Sequence, residues 1–104
     1  MGLSVGMVEV YGLVAAFAAC DAGCKAANVT VEKFDKNKPA NADSLPVPLL
    51  VCVKFRGEVD DVTVAVKAAL EAASQVSGIV SHYIIPNTEK DTEQMLKLTG
   101  FDTD

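Results

Sequence analysis

The chain has no tryptophan, and only four phenylalanines and two tyrosines in 104 residues. A core built from large rings is therefore not available to it. Basic residues are also scarce: nine Lys and Arg stand against 14 Asp and Glu, a formal charge of −5. That balance argues against nucleic-acid binding, which is driven by phosphate neutralisation from basic patches. The longest apolar stretch, Gly12 to Cys20, falls well short of the roughly 20 residues that span a bilayer. No Lys or Arg precedes the first apolar run, so no secretion signal is expected. Three cysteines, an odd number, make a disulfide framework unexpected.

Catalytic chemistry is similarly thin. There is one histidine, His82, and no Ser-His-Asp or Cys-His set assembles around it. No nucleophile-elbow pattern occurs. The glycines are scattered, without a phosphate-loop or dinucleotide pattern. The expectation is a small soluble cytosolic protein, not an enzyme, with no catalytic residue, no metal site, no cofactor, and neither nucleic acid nor membrane as partner.

What the chain does have is valine and alanine, 15 and 14 copies respectively. Its length suits a single domain over 1–104, since domains typically run to about 100–150 residues. Small side chains fill little volume each but let backbones approach closely. Part of the stability is therefore expected from association with other copies.

Leu3 to Val10 alternates and is rich in valine, which predicts a strand. Gly12 breaks it, and Leu13 to Ala27 reads as a helix, with Leu13, Phe17, Cys20 and Cys24 on one apolar stripe. Asn28 is a stop signal. Val29 to Phe34 reads as a second strand, with Val29 and Val31 on one face and Thr30 and Glu32 on the other. Lys36 to Pro48 holds three of the four prolines and reads as loop.

Leu49 to Phe55 is apolar apart from Lys54, as a buried central strand would be, and Arg56-Gly57 ends it. Asp60 and Asp61 sit where the dipole of the next helix favours negative charge. That helix turns Val62, Val66, Ala69, Leu70, Ala73 and Val76 inward and stops near Gly78. Ile79 to Ile85 is a further strand, ended by Pro86. Thr88 to Leu98 reads as a short polar helix, with Thr88 as N-cap and Met95 and Leu98 as its apolar anchors. The order β-α-β-β-α-β plus a C-terminal helix is an α+β sandwich of ferredoxin-like type, an architecture that hosts many functions.

Cys20 and Cys24 lie one turn apart on a helix, and Cys52 lies in the central strand. Metal signatures usually carry CxxC-type spacing and four ligands, so all three read as small core hydrophobes.

The stretch VGMVEVYGLVAAFAACDAGCKAANV, Val5 to Val29, resembles the opening of bacterial microcompartment shell proteins of the BMC-domain family. Val53-Lys54-Phe55-Arg56-Gly57-Glu58-Val59, Val66-Lys67-Ala68-Ala69 and Ser81-His82-Tyr83-Ile84-Ile85-Pro86 resemble that family's later segments, in the same order. The resemblance implies a non-enzymatic building block of a cytoplasmic microcompartment shell. It would form a cyclic homohexamer whose central pore passes metabolites, with other shell proteins and encapsulated enzymes as partners. Cyclic symmetry closes a heterologous interface into a ring.

Lys25 matches the family's lysine at the contact between hexamers, and Asn28 follows it in the same K-A-A-N element. The family's edge arginine after the strand-end proline is Asn87 here. Asparagine lacks the five-donor fork of arginine, so tiling is expected to use other contacts. The pore loop, short and glycine-rich in the family, is the enlarged 37–48 segment here. Its candidate pore residues, with Lys36 just before it, are Lys36, Asn37, Lys38, Asn41, Asp43 and Ser44. Six copies of Lys36, Lys38 and Asp43 would make mixed rings of charge, which select ions in pores, and the prolines would limit the loop's disorder. Residues 88–104 would form a C-terminal helix and tail. Two alternatives stay open: a small-molecule-sensing regulatory domain of ferredoxin-like fold, and a metal- or iron–sulfur-binding shell variant. The loop holds no cysteine for the latter.

Overall fold

The computed structural model describes residues 3–38, 40–45, 49–99 and 101. Strand β1 (Ser4–Tyr11) leads into helix α1 (Leu13–Ala26), then two short strands, β2 (Thr30–Val31) and β3 (Asp35–Asn37). A 3-10 turn at Ala42–Ser44 precedes β4 (Leu50–Gly57), followed by α2 (Val59–Ser74), β5 (Ile79–Ile85) and α3 (Lys90–Leu96). The sheet runs β2-β4-β1-β5, with β3 also on β4, and every pairing is antiparallel. This is the expected α+β sandwich.

One face of the sheet carries α1 and α2. Val8, Val10, Val51, Val53 and Phe55 meet Ala15, Ala16, Ala19, Val62, Ala65, Val66, Ala69 and Ala73 there. Small residues set the spacing. A Cβ on Gly6 would stand 2.5 Å from Val66 and 2.6 Å from Val62, and one on Gly23 would collide with the Phe55 ring. The helices thus rest almost directly on β1 and β4.

The expected stripe on α1 is corrected. Leu13 and Phe17 are 40% and 60% exposed, and Cys24 is exposed, while Ala15, Ala16, Ala19 and Gly23 are buried. Both sets share helical spacing because the helix is apolar almost all round. Close approach over Phe55 admits only the small set. The cysteines are therefore not core hydrophobes as a group: Cys20 is half-buried, Cys24 faces solvent, and Cys52 is half-buried.

The second strand is also corrected. Thr30 and Val31 pair with Arg56 and Phe55, but Asp35, Lys36 and Asn37 pair with Cys52, Val51 and Leu50. Between these pairs three residues on the edge strand, Glu32, Lys33 and Phe34, therefore oppose two on β4, Val53 and Lys54, a one-residue surplus of β-bulge type. It interrupts the ladder at Glu32–Phe34, although Glu32 N still donates to the Lys54 carbonyl at 2.8 Å.

Strand β4 does not stop at Phe55; it pairs with β1 through Gly57↔Ser4. In α2, Ala65 joins the buried set, whereas Val76 lies past the helix end and is 48% exposed. In α3 the buried anchor is Leu96, with Met95 and Leu98 65% and 57% exposed. Its N-cap is Glu89, which accepts from Asp91 N at 2.9 Å and Thr92 N at 3.3 Å, while the Thr88 hydroxyl is engaged elsewhere. No helix among the described residues is long and apolar enough to cross a membrane.

Candidate functional site

The two sets of candidate residues lie at opposite ends of the sheet. β1 runs from Ser4, paired with Gly57, to Tyr11, paired with Leu50, an extended span of roughly 23 Å at about 3.3 Å per residue. At the Tyr11 end, Gly12 N donates to the Leu49 carbonyl at 2.8 Å, which ties the entry to β4 to the start of α1. Lys36 and Asn37 stand in β3, and Lys38, Asn41, Asp43 and Ser44 follow, all exposed. The Asn41 carbonyl accepts from Ser44 N at 3.0 Å and from Ser44 Oγ at 2.7 Å, closing the 3-10 turn. Lys36 and Asn37 are thus ladder residues, not loop. Pro39, Pro46 and Pro48, on which the expected stiffness rests, lie outside the described residues.

At the Ser4 end, Lys25 occupies the last turn of α1, exposed and ion-paired with Asp21 at 2.8 Å. That bond holds the Lys25 ammonium above its ordinary pKa. Asn28 is exposed just past the same helix and lines a cleft with Leu3, Arg56 and Glu58. Asn87 lines a neighbouring cleft that shares Leu3 and Glu58. It adopts a φ of 59°, a left-handed conformation that asparagine tolerates better than most residues, and its N–H donates to Ser4 Oγ at 3.3 Å. Lys25, Asn28 and Asn87 therefore share one end, and residues 36–38 and 41–44 lie toward the other.

The sequence reading missed a polar cluster on the sheet face away from α1 and α2. Lys54 and Arg56, each 4% exposed, point to that face because Val53 and Phe55, which alternate with them along β4, point to the helices. Lys54 Nζ donates to the carbonyls of Leu96 and Leu98 at 2.9 and 2.8 Å, at the C-terminal end of α3, where the helix dipole favours a cation. Arg56 Nε donates to the Ser4 carbonyl at 3.2 Å. Its Nη1 reaches Glu32 at 3.2 Å and Glu93 at 2.9 Å, and its Nη2 pairs closely with Glu93 and donates to Thr88 Oγ1 at 3.4 Å. The hydrogen bonds from Arg56 and then Thr88 hold the Glu93 carboxyl below its usual range, and Glu93 in turn raises the Arg56 guanidinium. The signal in the sequence was charge at two alternate positions of an otherwise apolar strand.

Cys52 lies on the same face, in register with Glu9 on one side and Asp35 on the other. Burial, and next Glu9, push its thiol up to about 11. Burial and the neighbouring Cys24 raise the Cys20 thiol as well. Raised values oppose thiolate chemistry. Among the described residues no three His, Cys, Asp or Glu side chains are grouped to hold a metal. His82 is exposed in the outer strand β5, in register with Val8.

A sequence model of the BMC domain matches residues 4–88. The chain belongs to the BMC-domain family. It is 34% identical over 100 residues to carboxysome shell protein CcmK2 of Synechococcus elongatus, covering 94% of this chain and 89% of that one. It is 36% identical over 93 residues to bacterial microcompartment shell protein PduA of Salmonella typhimurium, covering 89% of each. A solved microcompartment protein from Desulfitobacterium hafniense matches with a TM-score of 0.62 over 95% of this chain and 49% of that one; at 23% identity it speaks to the fold alone. By family, then, this BMC-domain chain is a microcompartment shell protein.

Proposed function

We propose that this chain is a non-enzymatic structural tile: a single BMC domain over 1–104 that closes into a cyclic homohexamer, with the enlarged loops gathered around the six-fold axis. The observation that carries this reading is the separation of the two residue sets. A ring subunit needs one end at the axis and the other at the rim, and here the loop and the Lys25, Asn28, Asn87 group occupy opposite ends of one sheet. The subunit measures 42 × 31 × 20 Å, flat in the way a one-layer wall requires.

A lone subunit also has surface to spare. Its accessible area is 6112 Å², against about 5,600 Å² for a monomer of this mass. Leu3, Val14, Phe17, Val59, Val64 and Tyr83 are all exposed. Burial of such side chains is what closes a heterologous ring interface.

In this ring Lys36, Lys38 and Asp43 supply the charge nearest the axis, and Lys25, Asn28 and Asn87 meet neighbouring hexamers or other shell proteins. Encapsulated enzymes would lie against one face of the sheet of tiles. Native mass spectrometry tests the proposal: a species of six times 10.9 kDa is expected, and a monomer at high concentration refutes it. Stabilisation by a small metabolite, saturating as RT ln(1 + [L]/Kd), would instead favour the sensing domain.

A further inference from the structure

The C-terminal segment does not end with α3; it rounds the edge of the sheet. Lys54 grips the Leu96 and Leu98 carbonyls on the face opposite α1 and α2. One residue later, at the edge, the Thr99 hydroxyl donates to the Phe34 carbonyl. Phe101 then joins Leu13, Phe17, Lys33 and Phe34 in a cleft on the helix side. There Phe17 and Phe34 already pack edge to face, 5.1 Å between centroids. Phe101 N donates to Thr99 Oγ1 at 3.1 Å, which links the two residues directly. Lys36 Nζ sits 5.1 Å from the Phe101 ring centroid, a cation held against a ring face.

Lys36 is the middle residue of β3, which has only three residues in the ladder before the enlarged loop begins. So short an edge strand is poorly held by its own backbone bonds. We infer that Thr99 and Phe101 are positioning residues for that loop: they clasp β3 to the sheet edge and set where the Lys36 charge stands. The consequence for passage rests on the pore reading above, whereas the contacts lie within one subunit and do not depend on it. Coupling between two groups in contact is reciprocal, so loosening Phe101 frees Lys36 and removing Lys36 frees the tail.

Hydrogen exchange on the full chain tests this, with native mass measured on each variant. Phe101→Ala should speed exchange of the Asp35–Lys38 amides about two- to five-fold, the size expected of one exposed cation–ring contact. Lys36→Met should speed exchange across 99–101 by a similar factor, and Phe101→Tyr, which keeps the ring, should restore the wild-type rate. Wild-type exchange in Phe101→Ala, an unchanged tail in Lys36→Met, or exchange in Phe101→Tyr as fast as in the alanine variant would each overturn it. A monomeric mass with the exchange effect intact removes the pore and leaves the clasp standing; a hexamer without the effect does the reverse.

Discussion

The two faces of the sheet are held by different physics. On the helix side, alanines, valines and two glycines bring α1 and α2 into van der Waals contact with β1 and β4. On the other side, α3 contributes one buried apolar residue, Leu96, and is fastened by two buried cations, Lys54 and Arg56. Close packing has no polar partner to titrate, so it changes little with pH or salt. Ion pairs and charge-assisted hydrogen bonds change with both. The chain has put its invariable contacts on one side and its adjustable ones on the other.

That contrast can be broken most sharply at Phe55. Phe55→Ala should lower the unfolding free energy by about 3–5 kcal/mol in a denaturant titration, since it empties a fully buried ring site. Gly23→Ala adds a methyl against the same ring and should cost about 1–3 kcal/mol. Combining it with Phe55→Leu should cost less than the two single changes together. If Gly23→Ala is neutral, α1 does not rest on Phe55.

The polar side should yield less. Glu93 keeps 34% of its side-chain exposure, so Glu93→Gln should cost about 0.5–1 kcal/mol, in the range of partly solvated pairs. Its pH signature matters more. The Glu93 carboxyl sits below its ordinary value of 4.5 in the fold, held there by Arg56 and then Thr88, with a smaller contribution from Lys97. Its stabilisation is therefore fully present above the unfolded value and is lost as pH falls through the folded one. The stability difference between wild type and Glu93→Gln should shrink below about pH 4.5; a constant difference would show that charge is not what fastens α3.

The last effect is chemical. Cys52 has its thiol pushed up from 9.0 to about 11, which leaves about 100-fold less thiolate near neutral pH than an unshifted thiol would have. Alkylation at pH 8, followed by peptide mass, should mark exposed Cys24 long before Cys52. Equal rates would show the sheet face to be open.

Much of the fold was legible because its signals were local. Alternation marked β1, glycine and proline marked breaks, and the spacing of Val62, Val66, Ala69 and Ala73 marked the inner face of α2. The inner face of α1 was not legible. Leu13–Phe17 and Ala15–Ala19 obey the same periodicity, and only the distance to Phe55 decides between them. Leu96 was passed over for Met95 and Leu98 because the anchor of α3 is chosen by what lies beneath it. The family segments offered Lys25, Asn28, Asn87 and the 37–48 segment as candidates; that the described ones lie at opposite ends follows from the pairing of β1 with β4. The Lys54–Arg56 fastening and the Thr99–Phe101 clasp join residues far apart in the chain, beyond the reach of any periodicity.

The surplus residue between Val31 and Asp35 has an arithmetic consequence. Side chains alternate along a strand, so one extra residue reverses which neighbours look up and which look down. With it, Lys36 shares a side with Val51 and reaches Phe101. Deleting a single residue among Glu32, Lys33 and Phe34 would remove the surplus, letting the flanking pairs join in one unbroken ladder with Lys36 still opposite Val51.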